Sequence, residues 1–155
     1  MIRRTILLIA CIISSSCMAS LKEWSVYIQL IERADNKTLH ALPGKIDNIG
    51  DTLDAEHTEE LTTALSMALI KDPVSVINAT KSLDMSTDPL KQRFGTSMIC
   101  GIPLITHANQ IKVEEYFAKA EPVLEKAGTP AAECLSNMRD VIDEIRQETA
   151  QPPTK

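Results

Sequence analysis

The chain has 155 residues, a hydrophobic content of 44%, a charged content of 24% and a formal net charge of −5. That length gives one domain with enough material for a core of its own, and the balance of apolar and charged residues excludes wholesale disorder. The net acidity, with no Lys/Arg cluster to offset it, argues against binding a nucleic-acid phosphate backbone.

Met1-Ile2-Arg3-Arg4-Thr5 is a short positive start, Ile6 to Ile13 an unbroken apolar run, and Ser14 to Ala19 a small, polar close. This three-part pattern is that of a secretory signal. The apolar run is too short to span a bilayer core of ~30 Å, which takes about 20 residues, so it does not read as an anchor helix. Two readings of its end stay open. Cys17-Met18-Ala19 before Ser20 resembles a small-x-small cleavage site. Ser14-Ser15-Ser16-Cys17 resembles a degenerate bacterial lipobox that would place a lipid on Cys17, although the usual Leu three positions earlier is missing. Leu8-Ile9-Ala10-Cys11 has better lipobox letters but leaves too short an apolar run before it. The expected organisation is a signal at 1–19, a single domain at 20–150 and a flexible tail at 151–155. Loss of the signal removes two arginines and no acid, taking the formal charge from −5 to −7.

Leu21, Trp24, Ile28 and Ile31 follow helical spacing, with Tyr27 and Leu30 beside them, and predict a helix closing near Ala34. Asp35-Asn36-Lys37 reads as its exit. Pro43-Gly44 and Gly50-Asp51 mark the following stretch as loop, with one helical turn at 46–49. Asp54 is a good N-cap, with Glu56, Glu59 and Glu60 near the positive end of the helix it starts. That helix runs to about Lys71 on Leu61, Ala64, Leu65, Ala68 and Leu69. Met67 and Ile70 make it apolar nearly all round, which marks it as the central helix.

Asp72-Pro73 is an N-cap followed by proline at the first helical position, and Val74, Ile77 and Leu83 carry the short helix after it. Asp88-Pro89 repeats the device. Leu90, Phe94, Met98 and Ile99 predict one helix ending at Cys100-Gly101, with Pro103 beyond. Past a connection at 103–109, Val113, Tyr116, Phe117, Ala120, Val123, Leu124 and Ala127 form an apolar stripe. Pro122 within it should kink or break the helix at Glu121. Gly128 stops this helix, and Thr129-Pro130 starts the last one, whose stripe is Leu135, Met138, Val141, Ile142 and Ile145.

No stretch alternates with period two for long enough to make a sheet. Aromatic residues at 3% and only five glycines also suit helix packing better than a sandwich or barrel. The expected fold is all-α: a compact bundle of five to six helices stapled by one disulfide. Cys11 and Cys17 lie in the signal, which leaves Cys100 and Cys134 as an even pair in an oxidising compartment. Their bridge would close a loop whose chain entropy is worth ~4 kcal/mol. Neither cysteine sits in C-x-x-C or beside a histidine, as a reactive thiol would.

No H-E-x-x-H, P-loop, dinucleotide fingerprint, G-x-S-x-G or S-x-x-K is present. His40, His57 and His107 are scattered singly and read as surface residues. Glu59–Glu60 and Glu114–Glu115 are neighbours pointing about 100° apart on helices, so they read as solvated faces rather than acid/base pairs. Met67, Met98 and Met138 read as core rather than as the lining of a ligand pocket. The expectation is therefore a protein without catalytic, cofactor or metal residues. One feature invites a partner: Asp47, Asp51, Asp54, Glu56, Glu59 and Glu60 fall together with no Lys or Arg between them. Helix-end electrostatics in a soluble loop is one reading of them. The other is an acidic patch that docks a positively charged protein.

Ala68 to Ile77, then Phe94-Gly95-Thr96-Ser97-Met98-Ile99-Cys100, then Tyr116 to Ala127 and Cys134-Leu135 together resemble small periplasmic immunity proteins of bacterial type VI secretion systems. The resemblance spans residues 60–145. It implies an all-helical exported protein that binds and neutralises a secreted, cell-wall-attacking effector enzyme, and it carries over no contact residue. The alternative is a periplasmic or lipid-anchored structural or adaptor protein of the envelope, touching membrane only through Cys17.

Overall fold

The computed structural model describes residues 10–101 and 110–150, with side chains for 21–101 and 112–150. Among these residues the fold is all-α, with no strand. It has eight α-helices rather than five or six: α1 Ala10–Glu32, α2 Asn36–Ile49, α3 Ala55–Leu69, α4 Pro73–Thr80, α5 Pro89–Gln92, α6 Thr96–Cys100, α7 Gln110–Ala127 and α8 Ala132–Ala150. Two 3-10 turns lie at Lys81–Met85 and Thr129–Ala131. The signal start at 1–9, the connection at 103–109 with His107, and the tail at 151–155 lie outside the described residues. Of Cys11, Cys17 and the Ala19–Ser20 junction, only the helical backbone of α1 is described.

One additional helix, α2, occupies the segment read from sequence as loop. Asp35, read as the exit of the preceding helix, is instead the N-cap of α2. Its carboxylate accepts from the backbone N–H and the hydroxyl of Thr38, at 2.9 and 2.7 Å. Ala34, at φ 59°, makes the turn between the two helices. Pro43 lies inside α2 and removes a backbone donor, which costs a helix interior ~3 kcal/mol. Leu39, Leu42 and Ile46 recur on one face and are fully or almost fully buried. Burial of such side chains is worth roughly 1.5–3 kcal/mol each, enough to outweigh the proline.

The other addition is a break. The helix expected to reach Cys100 divides into α5 and α6 around Gly95. A Cβ at Gly95 would overlap the carboxylate of Asp84, whose Oδ1 accepts from the N–H of Ser97 at 3.1 Å. The chain passes this close to the first 3-10 turn only because no side chain is there. Phe94 and Ile99 are buried as expected, but Leu90 and Met98 are about half exposed.

Elsewhere local chemistry is followed closely. Asp54, Asp72 and Asp88 cap α3, α4 and α5 by accepting from the N–H groups of His57, Ser75 and Leu90. In α4 Pro73, Val76, Ile77, Ala79 and Thr80 are buried, while Val74 is half-buried. Pro122 does not break α7. It is exposed, and the helix continues through it while Val113, Tyr116, Phe117, Ala120 and Leu124 stay buried. Thr129 does not cap the last helix either. Gly128, at φ 71°, turns the chain into the second 3-10 turn, which runs directly into α8.

α3 is central, packing on α1, α4 and α6, with Leu61, Leu65 and Leu69 fully buried. Tyr116 of α7 reaches the same helix, its hydroxyl donating to the carbonyl of Ser66 at 2.9 Å. α8 lies along α7 and buries Cys134, Leu135, Met138 and Ile142. Cys100 and Cys134 are disulfide-bonded across a Cα–Cα distance of 5.1 Å, stapling α6 to α8.

Candidate functional site

α1 lies against α3 through fully buried Ile31 and half-buried Trp24, Tyr27 and Ile28. A trough runs along the outer side of this joint. Its larger part, about 430 Å³, has Ile28, Ala64 and Met67 among its lining and carries Glu32, Glu56, Glu59 and Glu60. An adjoining part of about 270 Å³ shares Ile28, Glu56 and Glu60 and adds Leu21, Trp24 and His57. Among the residues of α3 at this trough, Glu56, Glu60, Thr63 and Met67 recur at helical spacing and so share one face.

Trp24 is fixed in place from two sides. Its Nε1–H donates to Glu60 Oε2 at 2.6 Å, and its ring meets the His57 ring edge-on at a centroid distance of 5.1 Å. His57 Nδ1 lies 2.7 Å from Asp54 Oδ1. The backbone N–H of His57, and then its imidazole, hold the Asp54 carboxyl below its ordinary pKa. The hydrogen bond to Asp54 in turn raises His57, with the charges of Asp54, Glu60 and Glu56 adding to it. Burial pushes the neighbouring Tyr27 hydroxyl up to about 12.

The six acids expected to form one patch divide into two sets. Asp47 of α2 meets Lys91 of α5, whose ammonium lies 3.6 Å from the carboxylate and donates to the Asp47 carbonyl at 3.0 Å. Arg93 donates to the carbonyls of Gly50 and Leu53 at 2.8 and 3.1 Å, tying down the connection that holds exposed Asp51. Asp54 is committed to its cap and to His57. The basic residues missing between Asp47 and Glu60 thus arrive as Lys91 of α5, at the Asp47 carboxylate, and Arg93 just after it, at the Gly50 and Leu53 carbonyls. Glu56, Glu59 and Glu60 remain together, and Glu32 of α1 joins them. Among the described residues no Lys or Arg side chain pairs with these carboxylates. Lys71 comes nearest in role, donating at 2.6 Å to the backbone carbonyl of Glu32.

Sequence reasoning missed Glu32 and Trp24 as members of this site. The Ile28–Glu32 spacing places both on one face of α1, but nothing local says that this face meets α3. His40 is exposed on α2, away from the trough, beside a small pocket with Asn36 and Pro43. Glu114 is not simply solvated: Arg146 of α8 grips it with bonds of 2.8 and 2.7 Å. Among the described residues no group of three or more His, Cys, Asp or Glu is placed to hold a metal ion, and no helix is long and apolar enough to cross a membrane.

Chemically, the trough offers apolar surface at its base, carboxylates at its walls and an aromatic edge. That combination suits a ligand that is both cationic and apolar. Comparison with known protein families, with characterised proteins and with solved structures finds no match for the chain.

Proposed function

We propose that this chain is an exported, non-enzymatic protein that binds and neutralises a cell-wall-targeting effector, in the manner of the type VI secretion immunity proteins it resembles. The observation that carries this reading is the trough between α1 and α3, where Glu32, Glu56 and Glu59 stand over apolar residues with no Lys or Arg side chain paired to them among the described residues. A surface of this kind speeds encounter with a basic partner and selects it over neutral or acidic ones. An enzyme that grips a carboxylate-bearing wall polymer carries basic residues, with which the carboxylates of the trough would pair. A neutraliser needs a rigid body and a complementary face rather than a reactive group. Here the body is a helical core tied by Cys100–Cys134, and such a bond suits an oxidising compartment.

The test is protection. The proposed role predicts an effector encoded near this chain; directed to the periplasm, it should lyse cells that lack the full chain and spare cells that carry it, and the two proteins should co-elute. Unchanged lysis with no complex overturns the proposal.

A further inference from the structure

We infer that the occupant of the α1/α3 trough is an amphipathic helix of a basic partner protein, presenting arginine side chains beside an apolar stripe. This rests on the reading of the trough as the binding face and names what fills it.

The shape favours a helix. The trough follows α1 from Leu21 to Glu32, about 17 Å at ~1.5 Å per residue, or roughly three helical turns. A helix lying there would anchor through side chains at i, i+3 or i+4, and i+7. The apolar surface for those anchors is already on display. Leu21 is 59% exposed, and Trp24, Ile28 and Met67 are only half-buried.

Charge selects the sign of the occupant. Other glutamates and aspartates of the fold meet cations: Asp47 meets Lys91, Glu121 and Glu125 meet Arg139, and Glu114 meets Arg146. The trough brings four carboxylates together without a Lys or Arg in its lining. A cationic occupant would answer these carboxylates, which no Lys or Arg side chain pairs with among the described residues.

Arginine fits better than lysine. Glu56 and Glu60 are one helical turn apart, ~5–6 Å between their Cβ atoms, a spacing that a forked guanidinium can bridge. Trp24, held by Glu60 and flanked by His57, supplies an aromatic surface on which a guanidinium stacks, and a guanidinium sheds water more readily than an ammonium.

Trp24 is the only tryptophan in the chain, so its emission reports on this trough alone. The probe is a synthetic amphipathic helical peptide with leucines at i, i+4 and i+7 and arginines between them. A second version replaces each arginine with neutral, isosteric citrulline, and a third with lysine. Titrated into the full chain at low salt, the arginine peptide should change Trp24 emission saturably. The citrulline peptide should bind at least about tenfold more weakly, and the lysine peptide several-fold more weakly. E56Q/E59Q, which leaves the Trp24–Glu60 bond in place, should weaken the arginine peptide by about tenfold or more with an unchanged unfolding transition. Equal binding of the citrulline peptide, unchanged binding by E56Q/E59Q, or no saturable signal overturns the inference. So does a concentration-dependent dimer that shuts the peptide out, because the occupant would then be a second copy. Effector neutralisation that survives E56Q/E59Q overturns the inference about the trough and leaves the immunity reading standing. Peptide binding without any neutralisation does the reverse.

Discussion

The α1/α3 pair and the α7/α8 pair are built alike and finished differently. Each buries an aliphatic seam, around Ile31 and Leu65 in the first and around Leu124, Met138 and Ile142 in the second. Each sets glutamates along its rim. On α7/α8 those glutamates are answered from within: Arg146 takes Glu114, holding that carboxyl below its ordinary pKa, and Arg139 takes Glu121 and Glu125. On α1/α3, Glu60 meets Trp24, while Glu32, Glu56 and Glu59 have no Lys or Arg pairing among the described residues, and the adjacent apolar residues are left partly uncovered. Exposed ion pairs add little to stability, so the contrast lies less in how firmly each pair is held than in what each shows to solvent. One joint is closed on itself. The other shows carboxylates and partly uncovered apolar residues to solvent.

Substitutions at the staple, the seam and the trough should differ in their effects. The largest effect is expected at the stapled end. Replacing Cys100 and Cys134 with alanine releases α6 from α8 and should lower unfolding stability by about 4 kcal/mol in a urea titration. Ile31→Ala, in the seam under the trough, should cost about 3 kcal/mol, because it empties a fully buried site between α1 and the core. Gly95→Ala should cost about 2 kcal/mol, since its methyl group has to displace the Asp84 carboxylate from the Ser97 N–H. E56Q/E59Q should change stability by less than about 0.5 kcal/mol while changing partner affinity strongly. If that double variant costs as much as Ile31→Ala, the carboxylates hold the fold together and the contrast fails.

The smallest effect is one of pH. His57 carries a raised pKa, so its contribution is fully present below the ordinary imidazole value of 6.5 and is lost as pH rises through the raised one. Asp54 carries a lowered pKa, so its contribution is present above its ordinary 3.8 and is lost as pH falls through the lowered one. The pair therefore acts in the window between those two titrations. Imidazole resonances followed by NMR should show the raised midpoint, and Asp54→Asn should bring it back down. An unshifted His57 in the parent chain would contradict the Asp54 contact.

What was legible in the sequence was what depends on neighbours along the chain. The caps at Asp54, Asp72 and Asp88 need only an acceptor two or three residues from a donor. The stripe from Val113 to Leu124 needs only helical spacing, and the cysteine pairing only an even count and a compartment. α2 was hidden because Pro43-Gly44 is a strong local breaker, and only burial of Leu39, Leu42 and Ile46 by the rest of the fold overrules it. The break at Gly95 depends on Asp84, and the neutralisation of Asp47 on Lys91, which is 44 residues away. The site was half legible for the same reason. Glu56, Glu59 and Glu60 can be read as one helix face, but Glu32 and Trp24 belong to it only because α1 lies on α3.

The most direct test of the open joint is hydrogen exchange on the full chain, alone and bound to the effector that the proposed function calls for. Binding at the trough predicts new protection in peptides covering 21–32 and 56–67, with α7 and α8 exchanging as they do in the free protein. Protection confined to α7 and α8, with 21–32 and 56–67 unchanged, would place the partner on the closed joint and contradict the account.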